Sequence, residues 1–248
     1  MKKVFISDYD GTLYQDGVVS KEVLDAIKSF RENGGLFGIA TGRIIHSIKY
    51  EIDKFDIPVD FLIGANGAVI MDGDFKKVYS FDINQDVAKE VFDFMASQEM
   101  LFYGLSDGFG IYSQGQDAGL FDKFSMEYHD VMSRSIRGLY GRAQTREHAF
   151  ELADTMNHRY GEHISVMPNY AGLDIVSVKT DKCDAIIKYL EYLGQGYEVA
   201  TAGDAHNDLK MLKHFRGYVM AHGDPEIVSQ IDRKVSTVDE ALADFLNS

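Results

Sequence analysis

The fold is decided close to the N-terminus, where residues 4–12 read VFISDYDGT. Val4 to Ile6 form a short run of β-branched and aromatic residues, which is typical of a buried strand. The run stops at two carboxylates, Asp8 and Asp10, and a glycine follows them. In open α/β sheets, ligands bind outside the carboxyl ends of the strands, so this pattern predicts a strand that delivers acidic groups to such an edge.

Strand and helix patterns alternate from this segment outward. Ser20 can cap a helix that follows it, and residues 36–40 form a second apolar run. A helical pattern covers about 44–54, and residues 61–64 form a third apolar run. This alternation predicts a Rossmann-like α/β core with a parallel sheet and helices on both faces.

The middle of the chain has a different sequence pattern, in which helical and strand-like stretches mix without regular alternation. We interpret residues 81–180 as an inserted α+β domain, flanked by core segments at 1–80 and 181–248. Turn dipeptides at Asn66-Gly67 and Asp72-Gly73 predict short hairpins before the insert. The segment Met167–Gly172 is interpreted as a loop between two strands. Most cap aromatics are expected in the core, and a few near this loop are candidates to line the pocket.

Composition limits the partners and the compartment. The chain has 248 residues, with 39 acidic and 25 basic side chains and a net charge of −14. That field would repel nucleic acid and anionic membrane surfaces, so neither is expected as a partner, and no protein partner is implied. With a single cysteine, no apolar run long enough to span a membrane and no signal-peptide pattern, a cytoplasmic location is expected. An anionic substrate would need a local site that reverses the sign of the charge.

Polar residues follow three separate apolar runs. Taken alone, each group has a structural interpretation: an Asp-Gly turn after the first run, or a turn and helix cap in the segment GDAHND. An EF-hand is a poor match to the first group, because the later acidic ligands are misplaced. Their joint occurrence at the ends of three strands favours one functional site. The groups are Asp8, Asp10, Gly11 and Thr12; Thr41, Gly42 and Arg43; and Gly203, Asp204, Asn207 and Asp208.

These segments resemble the four motifs of the haloacid dehalogenase superfamily of phosphohydrolases. The matching segments are DYDGT (8–12), ATGR (40–43), Lys182 and GDAHND (203–208). The insert and the NGA at 66–68 resemble the Cof-like branch, which carries a large α+β cap, so the resemblance extends over essentially the whole chain. The sequence departs from the usual pattern at Cys183, where a Gly often stands, and at 235–246, which reads simply as a helix. Both departures leave the substrate unassigned.

The resemblance implies roles for the acidic residues. Asp8 would be the nucleophile that forms an aspartyl-phosphate, which splits hydrolysis into two easier steps. Asp10 would protonate the leaving alcohol and later deprotonate the attacking water. The cofactor would be Mg²⁺, held by the hard oxygens of the Asp8 and Asp204 carboxylates and of the Asp10 backbone carbonyl.

The resemblance also implies a phosphate-binding set. Thr41 and Lys182 would hold phosphate oxygens, while Asp208, together with Asn207, would orient Lys182 and the metal ligands. Arg43 has two interpretations: it contacts the cap or the substrate, or it forms a structural salt bridge. Asn66 also has two: it contacts the cap or the substrate, or it forms a tight turn. The expected phosphate- and substrate-binding residues are Thr41, Gly42, Arg43, Lys182 and Asn207.

Three hypotheses about function follow. The first is hydrolysis of the monophosphate of a small metabolite such as a sugar. The second is a phosphosugar mutase or another phosphotransferase, which would need extra basic residues in its cap to bind a bisphosphate. The third is a non-catalytic regulator that binds a phosphorylated metabolite, which would not need both Asp8 and Asp10.

Overall fold

A computed structural model describes residues 2–116, 123–194 and 196–247. The first part of the core contains β1 (Lys2–Ser7), α1 (Lys21–Glu32), β2 (Leu36–Ala40), α2 (Ile45–Phe55), β3 (Phe61–Gly64), β4 (Val69–Asp72) and β5 (Lys77–Ser80). The cap contains α3 (Gln85–Ala96), β6 (Met100–Ser106), β7 (Ile111–Gly115), α4 (Tyr128–Met132), β8 (Gly138–Ala143), α5 (Arg146–Tyr160), β9 (Ile164–Asn169) and β10 (Gly172–Ser177). The core then resumes with α6 (Lys182–Leu193), β11 (Tyr197–Gly203), α7 (Leu209–His214), β12 (Arg216–Met220), α8 (Pro225–Val228), β13 (Lys234–Val235) and α9 (Val238–Leu246).

The core is one eight-stranded sheet in the order β13-β12-β11-β1-β2-β3-β4-β5. Strand β1 lies inside it and pairs in parallel with β11 on one side and β2 on the other. Strands β4 and β5 are added as antiparallel hairpins. The predicted parallel core and the short hairpins are both confirmed. Because β1, β2 and β11 are parallel neighbours, the segments that follow them emerge at one edge of the sheet.

Aromatic packing holds the helices to one face of this sheet. Phe5 of β1 is completely buried and its ring lies 6.1 to 6.4 Å from four other aromatic rings. The Ser20 side chain caps α1 by accepting a hydrogen bond from the backbone N–H of Val23, as predicted. The rings around Phe5 are Phe30, Phe37, Tyr218 and Phe245.

The cap is built on a five-stranded antiparallel sheet in the order β7-β6-β8-β10-β9. Buried apolar side chains from α3 and α5 pack on one face of this sheet and form a second apolar core. The other face covers the strand ends of the core and lines a cavity with them. The predicted inserted α+β architecture is therefore confirmed.

The predicted loop at 167–172 is wrong in extent. Strand β9 continues to Asn169 and β10 begins at Gly172, so only Tyr170 and Ala171 lie between the strands. Pro168 is accommodated within β9 because this strand is the edge of the cap sheet, where a missing N–H costs no ladder bond. The aromatic residue of this segment, Tyr170, lines the cavity, and so does Asn169.

The chain crosses between core and cap twice at one place. The backbone N–H of Phe81 donates to the carbonyl of Ala68, and the hydroxyl of Thr180 donates to the carbonyl of Gly67 at 3.2 Å. We propose that these paired crossings mark the predicted domain boundaries near residues 80 and 181. Within the described parts of the chain, no helix has the length and apolar character needed to cross a membrane.

Replacing Phe5 by Ala should strongly destabilise the protein, because it empties the centre of the aromatic cluster. The expected loss is about 3–5 kcal/mol in the free energy of unfolding, the usual cost of removing a buried ring. Urea denaturation would measure it. The control is Tyr192→Ala, since Tyr192 is 61% exposed and its loss should change stability by about 0.5 kcal/mol or less. Equal effects of the two substitutions would contradict the proposed packing.

Candidate active site

The polar residues that follow β1, β2 and β11 line one cavity between core and cap. Its volume is about 890 Å³. Thr41 is buried, and its hydroxyl accepts a hydrogen bond from the backbone N–H of Arg43 at 3.2 Å. The sequence-predicted residues that line this cavity are Asp8, Asp10, Gly11, Thr41, Gly42, Arg43, Asp204 and Asn207.

Lys182 lies just beneath these residues, as the first residue of α6. Its side chain is 1% exposed, and its Nζ lies 2.6 Å from Oδ1 of Asp8 and 2.7 Å from Oδ1 of Asp208. Burial alone would disfavour the charged ammonium, but the two carboxylates outweigh that cost and raise the pKa of Lys182 above its usual value. Lys182 therefore stays charged and holds Asp8 in place.

Asp208 uses both of its carboxylate oxygens inside the protein. One oxygen accepts from Lys182, and the other accepts from the backbone N–H groups of Asp204 and Ala205 at 3.0 and 3.1 Å. Asp208 is completely buried. It therefore fixes the Lys182 ammonium and the loop that carries Asp204.

Asp8, Asp204 and Asp208 form a compact acidic cluster, with oxygens within 4.8 Å of one another. The Thr12 hydroxyl donates to Asp204 at 2.8 Å. Gly11 has a φ of +79°, and a β-carbon there would lie 2.5 Å from the Asp204 carboxylate, so glycine permits the close approach.

Burial and mutual repulsion raise the pKa of the Asp8 and Asp204 carboxyls, and Lys182 offsets this only in part. Three carboxylates facing one ammonium leave an excess of negative charge, and their oxygens are the hard donors that Mg²⁺ prefers. The cluster therefore fits a divalent cation. Because Asp208 already uses both oxygens, Asp8 and Asp204 are the carboxylates available to hold it.

Asp10 has a different environment, at the wall of the cavity. Arg43 donates two parallel hydrogen bonds to its carboxylate, at 2.6 and 2.7 Å, and the Asp10 side chain is 51% exposed. Glu51 of α2 lies 3.4 Å from the same guanidinium and accepts a hydrogen bond from the Tyr9 hydroxyl at 3.2 Å. The salt-bridge interpretation of Arg43 is therefore present in the structure. Sequence reasoning missed Glu51, which belongs to no motif and is brought here only by the packing of α2.

Asn66 joins the core to the cap. Its backbone is left-handed, with a φ of 52°, so the tight-turn interpretation holds. Its carbonyl oxygen accepts from the Asn207 side-chain amide at 3.0 Å, and its side chain also hydrogen bonds with Asp174 of β10. Burial raises the pKa of Asp174, with Lys182 and Asn66 acting in the opposite direction. Asp174 carried no motif, so the sequence did not point to it.

Cys183 follows Lys182 in α6 at the position where the sequence departs from the usual motif. Its side chain is 1% exposed, and burial raises the pKa of its thiol to about 12. A thiol in that state is a small buried apolar group rather than a nucleophile.

The model of one protein family, described as haloacid dehalogenase-like hydrolase, matches residues 5–246. The chain belongs to the haloacid dehalogenase-like hydrolase family. The match covers the core, the cap and all four segments that line or support the cavity, so the family prediction made from those segments is confirmed.

Two curated relatives illustrate the sequence similarity within this family. The 5-amino-6-(5-phospho-D-ribitylamino)uracil phosphatase YwtE of Bacillus subtilis is 33% identical over 42% of this chain, and the match spans 36% of that relative's length. A putative phosphatase of Buchnera aphidicola is 28% identical over 86% of the chain and 83% of the relative.

The fold also matches solved structures of the haloacid dehalogenase superfamily. The structure of a subclass IIB sugar phosphatase, BT4131, superimposes with a TM-score of 0.81 at 19% identity, covering 98% of this chain and 99% of the other. The cap and core of this chain therefore follow the subclass IIB fold.

The acidic cluster predicts a pH dependence of stability. The raised pKa values of Asp8 and Asp204 mean that the folded, metal-free protein binds protons more tightly than the unfolded chain. The free energy of unfolding should therefore fall as the pH rises from about 4, where unfolded aspartates titrate, through the folded pKa values.

Added Mg²⁺ should reverse this loss, because it competes with protons for the same oxygens. We expect Mg²⁺ to raise the Tm more at pH 8 than at pH 5. When free Mg²⁺ is about 100 times its Kd, binding should add about 2.7 kcal/mol to the free energy of unfolding. Differential scanning calorimetry would measure it, with Asp204→Asn as the variant that removes the effect. If Mg²⁺ raised the Tm equally at both pH values, or raised it equally in Asp204→Asn, the ion would bind at a site other than the acidic cluster.

Proposed function

We propose that this protein is a Mg²⁺-dependent phosphatase that hydrolyses the monophosphate ester of a small metabolite through an aspartyl-phosphate on Asp8. The observation that carries the proposal is the position of the Asp8 carboxylate. It lies on the cavity floor, the Asp8 side chain is 7% exposed, and the buried ammonium of Lys182 holds it. A fixed carboxylate with restricted access to water suits nucleophilic attack on a bound phosphate.

The first step transfers the phosphoryl group to the protein. An Asp8 oxygen attacks phosphorus, the bond from phosphorus to the ester oxygen breaks, and Asp10 gives a proton to the departing alcohol. In the second step Asp10 takes a proton from water as the water oxygen attacks phosphorus. The bond from phosphorus to Asp8 then breaks, which releases inorganic phosphate and restores both carboxyl groups. Arg43 orients Asp10 through its two hydrogen bonds.

The phosphate oxygens need positive charge and hydrogen-bond donors at this floor. Lys182 supplies a charge, while Thr41 and Asn207 supply a hydroxyl and an amide from segments that follow β2 and β11. Gly42 lines the same wall and leaves room for the phosphate. Bound to the Asp8 and Asp204 carboxylates and the Asp10 carbonyl, Mg²⁺ would supply electrostatic neutralisation between the anionic nucleophile and the anionic phosphate.

The cap supports a small substrate. The cap sheet covers the cavity, whose volume of about 890 Å³ suits a metabolite and excludes a macromolecule. One relative is named for its activity on a phosphorylated ribitylaminouracil, and a protein of the same fold is named a sugar phosphatase. These names support a phosphorylated small molecule as the substrate of this chain.

Two observations favour hydrolysis over the alternatives. Among the described residues that line the cavity, those from the cap include no Lys or Arg, so a mutase would lack the charge to hold a second phosphate there. A regulator that only binds ligand would not need an acid/base at the wall, yet both Asp8 and Asp10 line the cavity.

Asp8→Asn should abolish turnover of every phosphate ester, because the amide oxygen is not a competent nucleophile at phosphorus. Steady-state kinetics in Mg²⁺ with a panel of sugar and polyol phosphates and p-nitrophenyl phosphate would measure this. Near-normal hydrolysis by Asp8→Asn would remove the nucleophile assignment. Full activity of the native protein after exhaustive chelation with EDTA would remove the metal from the proposal.

Asp10→Asn should lower kcat for an alkyl phosphate by about 10²- to 10⁴-fold, the usual contribution of general acid–base catalysis. The loss should be smaller for phosphoenzyme formation from p-nitrophenyl phosphate, because nitrophenolate leaves without a proton. Burst kinetics would separate this step from water attack. A uniform loss in phosphoenzyme formation for both esters would argue against leaving-group protonation by Asp10.

A further inference from the structure

The cap face that covers the cavity carries an aromatic side chain and a carboxylate side by side. Tyr140 of β8 and Asp174 of β10 are directly opposed in the antiparallel pair, so their side chains point to the same face. Both line the cavity. The Tyr140 ring lies across Gly104, where a β-carbon would overlap the hydroxyl end of that ring. The Tyr140 hydroxyl donates a hydrogen bond to the backbone carbonyl of Tyr112 at 3.1 Å.

Phe102 extends this aromatic surface. Its ring centre lies 6.1 Å from that of Tyr140, with the two planes tilted by 54°, and it also lines the cavity. The ring of Tyr140 is held in place at its hydroxyl end and cannot easily turn away. The cap therefore presents a rigid apolar surface to whatever part of a ligand extends beyond the phosphate site.

The Asp174 carboxylate can accept further hydrogen bonds. The Asn66 carbonyl already accepts from Asn207, so the amino end of Asn66 is the part that can donate to Asp174. An ionised carboxylate offers about four acceptor positions, and one amide does not fill them. Asp174 is largely but not completely buried, and it borders the cavity beside the Tyr140 ring.

The charge on this side of the cavity decides which ligands fit. Asp174 is the one carboxylate that the described cap residues contribute to the cavity lining, and no cap Lys or Arg accompanies it. A second phosphate or a carboxylate on the ligand would meet like charge there, and none of the described cap residues that line the cavity is a Lys or Arg that could compensate it. Hydroxyl groups would find an acceptor at Asp174, and a flat apolar face would find the rings of Tyr140 and Phe102.

We infer that Tyr140, Phe102 and Asp174 form the subsite for the leaving group, which takes an uncharged sugar or polyol. Hydroxyl groups of the leaving group donate to Asp174, and its C–H face lies on the ring of Tyr140. This inference rests on the proposed phosphatase function and specifies its substrate class as a sugar or polyol with a single phosphate.

The test compares Asp174→Asn with the native protein on three esters: a hexose 6-phosphate, the corresponding hexose bisphosphate and p-nitrophenyl phosphate. Loss of a hydrogen bond to a charged acceptor should lower kcat/KM for the hexose 6-phosphate by about 10- to 100-fold. p-Nitrophenyl phosphate has no hydroxyl donor, so its kcat/KM should change by about threefold or less. The native protein should prefer the monophosphate to the bisphosphate.

Two further variants separate recognition from structure. Asp154→Asn makes the same chemical change at an exposed cap position and should leave all three substrates unaffected. Tyr140→Leu should lower kcat/KM for the hexose 6-phosphate by about three- to tenfold, the range expected for an aromatic contact. An equal loss on all three esters in Asp174→Asn, or a native preference for the bisphosphate, would overturn the subsite.

A binding measurement keeps this test independent of turnover. Calorimetric titration of hexose 6-phosphate into Asp8→Asn, which cannot turn it over, should give a Kd about 10- to 100-fold lower than titration into the Asp8→Asn/Asp174→Asn double variant. Equal affinities would overturn the subsite. Failure of the native protein to hydrolyse even p-nitrophenyl phosphate in Mg²⁺ would instead overturn the phosphatase function, and the calorimetric comparison would still decide the role of Asp174.

Discussion

The site depends on one buried cation. Lys182 is almost completely removed from solvent, and a charge in that position is tolerated only because Asp8 and Asp208 lie within hydrogen-bonding distance of its ammonium. Asp208 then uses its second oxygen to hold the backbone at Asp204 and Ala205. One ammonium group thus fixes the segments after β1 and β11 against the start of α6, although these segments are far apart in the sequence.

The charge of the whole chain and the charge of the acidic cluster both act against an anionic ligand. A net charge of −14 opposes the approach of any anion, and the cluster of Asp8, Asp204 and Asp208 adds to that opposition at the cavity floor. The same cluster fits a divalent cation, which would reverse the local sign of the charge. A metal ion and a buried lysine would therefore allow an acidic protein to bind a phosphate ester, as proposed above, so composition alone does not exclude such a substrate.

The cap is connected to this floor through hydrogen-bonding side chains as well as through the two chain crossings. Asn207 donates to Asn66, and Asn66 reaches Asp174 on the cap sheet. Asn207, at the proposed phosphate site, and Asp174, at the proposed leaving-group subsite, therefore both hydrogen bond with the side chain of Asn66. In the proposed function the phosphate and the rest of the substrate would therefore share one continuous cavity, with cap and core each forming part of its wall.

The sequence by itself determined the parallel core, the inserted cap and the groups at the strand ends. Apolar runs ending in Asp8, Thr41 and Asp204 are local patterns, and the carboxyl ends of parallel neighbouring strands must share an edge. Only the tertiary structure placed Glu51 beside Arg43, and Asp174 beside Asn66 and Tyr140. These contacts arise from the packing of a helix and from the register of antiparallel strands. Both depend on residues distant in sequence, and no motif of adjacent residues encodes them.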